Sequence, residues 1–255
     1  MSEARAARFS PRGRVVDSVL TLAVVLAVWQ ALFAYSGEAA IAAPWQTLAY
    51  AAGLLRGSML WSHFAATGLA FLEALAISAV LGVLLGLVLG LRRFAGDVME
   101  PILAGLYSVP KVTLYPMILL IFGLGMGAKV AFGVIHGIIP ITLFTLNAVK
   151  TLSPTLLRTA RAFRLTPAQT MRSVLMPAVL PEIVTGLRVG CSLTLLGVLI
   201  GEMFASQRGL GFLIVNGSNL HNVRLTTSVI LIVVVVAIVM NVGLLSLDRR
   251  LHARG

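Results

Sequence analysis

Long apolar runs alternate along this chain with short polar segments rich in arginine. Five runs reach or approach the ~20 residues that a bilayer requires: 15–35, 64–91, 130–149, 187–205 and 225–247. A further apolar region ends near Phe122 and is interrupted twice, at Ser108-Val109-Pro110-Lys111 and at Tyr115-Pro116. The pattern predicts an all-α membrane protein of about six transmembrane helices. The first run also resembles a signal peptide, because 37–43 is rich in small residues. Its apolar region exceeds the usual ~7–15 residues, which favours a retained span.

The interruptions are informative. A proline removes a helix hydrogen bond, and broken backbone at membrane depth survives only against protein or a water-filled cavity. Pro110, Lys111, Tyr115 and Pro116 are therefore candidate pathway positions; the plainer reading starts the span after Lys111. A turn is expected at 97–101, another at the glycine run 123–127, and polar connections at 38–63 and 206–224. In the second run Gly82, Gly86 and Gly90 recur every fourth residue, a small-residue face for close helix approach.

Three ionisable side chains within or near the spans are singled out. His136 reads as a hydrogen-bonded packing residue and is also a candidate pathway position, as is Glu202 near the far end of the fifth run. Glu73 has two readings, an intramembrane functional carboxylate or a group left at the interface by a long helix.

Between the fourth and fifth runs the character changes. The segment 151–190 carries Arg158, Arg161, Arg164 and Arg172 among Thr, Ser and Gln, and is punctuated by Pro154, Pro167, Pro177 and Pro181. Ser153-Pro154 and Thr166-Pro167 are helix starts, each a capping hydroxyl before a proline at the first helical position. Gln169 completes a capping box with Thr166. Two short helices with a corner near 164–166 follow from this. The segment also reads as an ordinary cytoplasmic loop made basic by topology alone.

Composition agrees: of 255 residues, 58% are hydrophobic and only 11% charged, and the mean hydropathy is +0.97. The net charge of +11 is positional. Four basic residues precede Val15, two are Arg92 and Arg93, six fall from Lys150 to Arg188 and three follow Leu247, fifteen on one side of the membrane. Arg56, Lys129, Arg208 and Arg224 fall on the other, and Lys111 is the remaining one. Both termini and the 151–186 loop are thus cytoplasmic, with tails 1–14 and 248–255 flanking a membrane domain 15–247. The charge is no nucleic-acid footprint. No G-x4-G-K-[ST] loop is present, the four histidines fall on separate segments without a metal constellation, and one cysteine, Cys191, excludes an intrachain disulfide. No catalytic or metal site is expected, and the chain is not its own ATPase.

The 151–190 segment is similar to the E-A-A-x3-G-x9-I-x-L-P loop of ABC-importer permeases, with Arg158, Thr159, Ala160, Arg164, Val174, Met176 and Pro177 on the motif positions. Ala160 and Pro177 match strictly; Arg158 stands for the Glu and Arg164 for the Gly. Val109-Pro110-Lys111 through Gly123-Leu124-Gly125, and Gly201-Glu202 through Gly209-Leu210-Gly211, resemble the nitrate/sulfonate/taurine branch, and the likeness covers roughly residue 44 to the end. The resemblance implies a type I importer permease of the bacterial inner membrane, usually a homodimer. It implies two cytoplasmic ATPase copies that bind ATP and Mg, and an extracytoplasmic solute-binding protein. ATPase docking would fall on Thr155, Leu156, Arg158, Thr159, Ala160, Arg161, Ala162, Phe163, Arg164 and Leu165, with Val174, Met176 and Pro177 closing the motif. The implied solute is small, anionic or organic. The alternative is a secondary active transporter working without an ATPase, which would be expected to show inverted repeats.

Overall fold

The computed structural model describes residues 11–252, which form helices and turns with no β-strand among them. In chain order the helices are α1 (Pro11–Ser36), α2 (Pro44–Arg56), α3 (Ser58–Leu91), α4 (Arg93–Ser108), α5 (Tyr115–Phe122), α6 (Met126–Lys150), α7 (Pro154–Ala162), α8 (Pro167–Thr170), α9 (Met176–Ala205), α10 (Leu210–Asn219) and α11 (Val223–His252). A 3₁₀ turn, Lys111–Leu114, precedes α5, and a π turn, Met171–Leu175, joins α8 to α9. Among the described residues, five segments are long and apolar enough to cross a membrane: Val15–Ser36, Ser58–Leu91, Met126–Lys150, Pro167–Phe204 and Val223–Ser246. The pair Arg93–Ser108 and Lys111–Phe122, bent by 86°, makes a sixth when counted as one span. The six expected spans are therefore present, with the third one broken.

The chain divides into two compact units. One holds the described residues up to Ser58 together with Ile214–Ile232; the other holds Met59–Leu213 and the described residues from Val233. In the first, Trp29 donates its indole N–H to the carbonyl of Ala42 at 3.1 Å, and Phe33 meets Trp45 edge to face. Ser228 donates to the carbonyl of buried Thr47 at 3.0 Å. The side chains of α1 from Val15 onward are largely exposed, as suits a lipid-facing helix.

The second unit is built around α6. Small residues on α3 and α9 let both helices press close to it. A Cβ on Gly86 would come within 2.5 Å of the Thr145 Cβ, and one on Gly82 within 2.8 Å of the Ile141 Cγ2. On the other side, Gly190 and Gly197 face Ile141 and the Phe132 carbonyl as tightly. The expected small-residue face on α3 is thus a packing face, and α9 carries a second one.

Several expected boundaries move. The connection 38–63 contains α2, because Pro44 sits at the first turn and Gln46 Oε1 accepts the Ala43 N–H at 3.2 Å. The second span begins at Ser58 instead of residue 64. The turn expected at 97–101 is helical: Pro101 lies within α4, and Lys150 grips Asp97 and Glu100 at 2.6 and 2.7 Å. The loop 206–224 contains α10. Residues 11–14 and 248–252 of the expected tails are helical, while 1–10 and 253–255 lie outside the described residues.

Candidate functional site

The basic segment behaves as its capping signals require at its start. Ser153 Oγ accepts the Thr155 N–H at 3.3 Å and opens α7. Thr166 and Gln169 exchange the two hydrogen bonds of a capping box, at 2.9 and 3.3 Å. Between them the chain turns through a Schellman motif: the Leu165 N–H bonds the Ala160 carbonyl and the Arg164 N–H bonds the Arg161 carbonyl, both at 3.0 Å. That motif demands a left-handed residue after the helix, and Arg164 occupies it with φ of 52°. This is the position where the similar loop carries Gly. The turn forms without glycine because its two hydrogen bonds offset a cost of about 1 kcal/mol.

The exposed surface of α7 and its turn carries Thr155, Leu156, Arg158, Thr159, Arg161, Ala162, Phe163 and Arg164, with Phe163 76% accessible. Ala160 is buried and Leu165 half-buried beneath them. The second short helix does not end where Pro177 and Pro181 suggested. Pro167–Phe204 is one helical run of 38 residues, since the π turn Met171–Leu175 widens the ladder ahead of Pro177 and accommodates its missing N–H. Val174, Met176 and Pro177 therefore lie inside a helix. At its base Leu175, Val179 and Ile183 pack against Ala148 and Val149 of α6.

The pathway candidates separate into three places. Lys111, at the 86° bend beside exposed Pro110, donates to the Tyr107 carbonyl at 2.9 Å and lies 5.2 Å over the Tyr107 ring. Tyr115, next to exposed Pro116, is buried and packs edge to face on Phe132. His136 sits 5.0 Å from the same Phe132 ring, with Nδ1 at 2.8 Å from the Phe132 carbonyl, the packing role expected of it. Tyr115 and His136 thus share one aromatic cluster.

Glu202 belongs to a third group. Its side chain has no solvent access, and its carboxylate accepts from Thr67 Oγ1 at 2.8 Å, from the Gly211 N–H at 3.0 Å and from Lys129 Nζ at 3.5 Å. Lys129 also donates to the Arg208 carbonyl at 3.0 Å, Thr67 Oγ1 accepts the Leu210 N–H at 2.8 Å, and His63 Nδ1 accepts that of Gly209 at 3.0 Å. The arrangement ties the 208–211 backbone to α3, α6 and α9. Sequence reading missed this knot, although Gly201-Glu202 and Gly209-Leu210-Gly211 were its visible parts; Thr67, His63 and Lys129 carried no local signal. Among the described residues no group of His, Cys, Asp and Glu could hold a metal ion.

The profile of binding-protein-dependent transport system inner membrane components matches residues 78–254. The taurine transport system permease protein TauC of Escherichia coli (strain K12) is 28% identical over 246 residues, 93% of this chain and 89% of that protein. The nitrate import permease protein NrtB of Synechocystis sp. (strain ATCC 27184 / PCC 6803 / Kazusa) is 30% identical over 251 residues, 94% and 87% respectively. Among solved structures, a chain of the inward-facing MetNI methionine ABC transporter superposes with a TM-score of 0.55 at 21% identity. That match covers 78% of this chain and 95% of the other, and it supports the fold.

Proposed function

The chain belongs to the family of binding-protein-dependent transport system inner membrane components, and from that membership we propose how its parts divide the work. It is the permease subunit of an ATP-binding-cassette importer, a multi-pass protein of the bacterial inner membrane. The secondary-transporter alternative falls with that membership. In our reading two copies of the chain pair across the pathway. Two copies of a cytoplasmic ATPase, which binds ATP and Mg, dock beneath them, and an extracytoplasmic binding protein delivers the solute. Relatives named for taurine and nitrate support a small organic or anionic solute.

The observation that carries this reading is the construction of α7. Leu156 and Phe163 are exposed beside Arg158 and Arg164, an apolar and cationic surface suited to a protein groove. The Schellman turn fixes its return path. The helix that follows is anchored on α6 through Leu175 and Val179, so a displacement of α7 is passed into the spans instead of being lost in a loop. ATP-driven closure of the ATPase pair then biases a bundle with two arrangements, inward- and outward-facing.

The test is a detergent pull-down of the tagged chain from its native membrane, with mass spectrometry and an ATPase assay. Recovery of a Walker-motif protein and a binding protein, with solute-stimulated hydrolysis, is the expected result. Recovery of the chain alone, without hydrolysis, would overturn the proposed partnership.

A further inference from the structure

A cleft of about 400 Å³ lies between α3, the end of α5 and the first turns of α6. Phe122, Met126, Val130, Val134 and Ile77 contribute apolar walls, and Glu73 is the one ionisable side chain lining it. The Glu73 side chain is exposed, and no described residue engages its carboxylate through a hydrogen bond or ion pair. Its depth follows from its neighbour. A Cβ on Gly133 would meet Ala74 Cβ at 2.7 Å, so Glu73 lies about one helical turn inward of Lys129, towards the outer end of the membrane domain.

Charged side chains at such depth are costly against lipid, and they face water-filled cavities or oppositely charged groups. The lysines of α6 and of the bend before α5 do not supply that charge. Lys129 is committed to Glu202 and the Arg208 carbonyl, and Lys111 to Tyr107. With no basic side chain in its wall, the cleft holds a negative potential in an apolar setting, where charge acts more strongly than in water. Its volume is that of a small-molecule site.

We propose that this cleft is a solute subsite at the outer end of the translocation pathway, selecting small organic molecules that bring a positive charge or polarised N–H groups to Glu73 and an apolar body to Phe122 and α6. Bare oxyanions are disfavoured there. The assignment rests on the importer reading for its place in transport, and it narrows the solute within that reading.

Cys191 is buried, and a Cys191→Ser background allows a reporter thiol to be placed in the cleft as Val134→Cys, or as Ala131→Cys should the first variant fail to insert. In native membranes, a cationic trimethylammonium-ethyl thiosulfonate labels the reporter roughly tenfold faster than the anionic sulfonatoethyl reagent, relative to their rates with a free thiol. Glu73→Gln abolishes that preference and Glu73→Asp keeps it. With a neutral maleimide, benzylammonium slows labelling and benzenesulfonate does not. Absence of labelling by every reagent, which means that lipid or a second protomer covers the cleft, overturns the proposal. So does a charge preference that survives Glu73→Gln, or protection by benzenesulfonate equal to or greater than that by benzylammonium. None of these measurements requires an ATPase, so a pull-down that fails to recover one counts against the importer assembly alone.

Discussion

The carboxylate of Glu202 accepts the backbone N–H of Gly211, nine residues on, at 3.0 Å in a site without solvent access. A glycine at 209 leaves room for that carboxylate, since a Cβ there would collide with it. Lys129, 4% exposed, supplies the countercharge. Removing one member of a buried pair strands the other. Glu202→Ala is therefore expected to destabilise the protein by about 3–5 kcal/mol, read as a lower thermal unfolding midpoint in detergent. Replacing both charges, as Lys129→Met with Glu202→Gln, is expected to recover part of the loss. A double variant less stable than Glu202→Ala would contradict the account.

Arg164 holds a left-handed conformation that glycine adopts freely. Arg164→Gly is expected to stabilise the turn after α7 by about 1 kcal/mol, and Arg164→Val to destabilise it. Hydrogen exchange of the Leu165 amide, which bonds the Ala160 carbonyl, should slow in the first variant and quicken in the second.

Gly86 faces Thr145 with no room for a Cβ. Gly86→Ala is expected to cost about 1–3 kcal/mol through overpacking, and Gly86→Leu to prevent recovery of folded protein from membranes. The same changes at Gly105, where a Cβ would meet nothing within 4 Å, should be tolerated. Monodispersity on size exclusion distinguishes the two positions.

The docking proposal predicts that Arg158→Glu together with Arg161→Glu abolishes solute uptake while membrane insertion and thermal stability stay near wild type. Wild-type uptake by the double variant would remove α7 from the coupling path.

Lys150 bridges Asp97 and Glu100, which are both partly exposed. Such pairs contribute little and are screened by salt. Lys150→Ala should cost less than about 1 kcal/mol, and the gap in unfolding midpoint from wild type should shrink as sodium chloride is raised.

Much of this organisation is written in local sequence. The N-cap at Ser153 and the capping box at Thr166 open their helices as expected because a cap depends on residues two or three apart. The broken third span follows from Pro110 and Pro116 for the same reason. The fate of Pro177 was not legible, because a proline ends a helix or is absorbed by a π turn according to what packs around it. Here Leu175, Val179 and Ile183 bury themselves against α6 on either side of Pro177 and hold the helix continuous.

By itself the sequence determined the fold class, the span count and the family, since these rest on runs of apolar residues and on short ordered motifs. Tertiary structure decided which charged groups meet. Glu202, Lys129 and Thr67 are 73 and 135 residues apart along the chain from Glu202, and no periodicity connects them. Close helix packing on small residues brings them into one buried knot and leaves Glu73, on the same α3 as Thr67, without a hydrogen-bond or ion-pair partner among the described residues, at the edge of a cleft. Local pattern reports which segments enter the membrane, whereas the pairing of charges within it depends on distances that only the packed helices set.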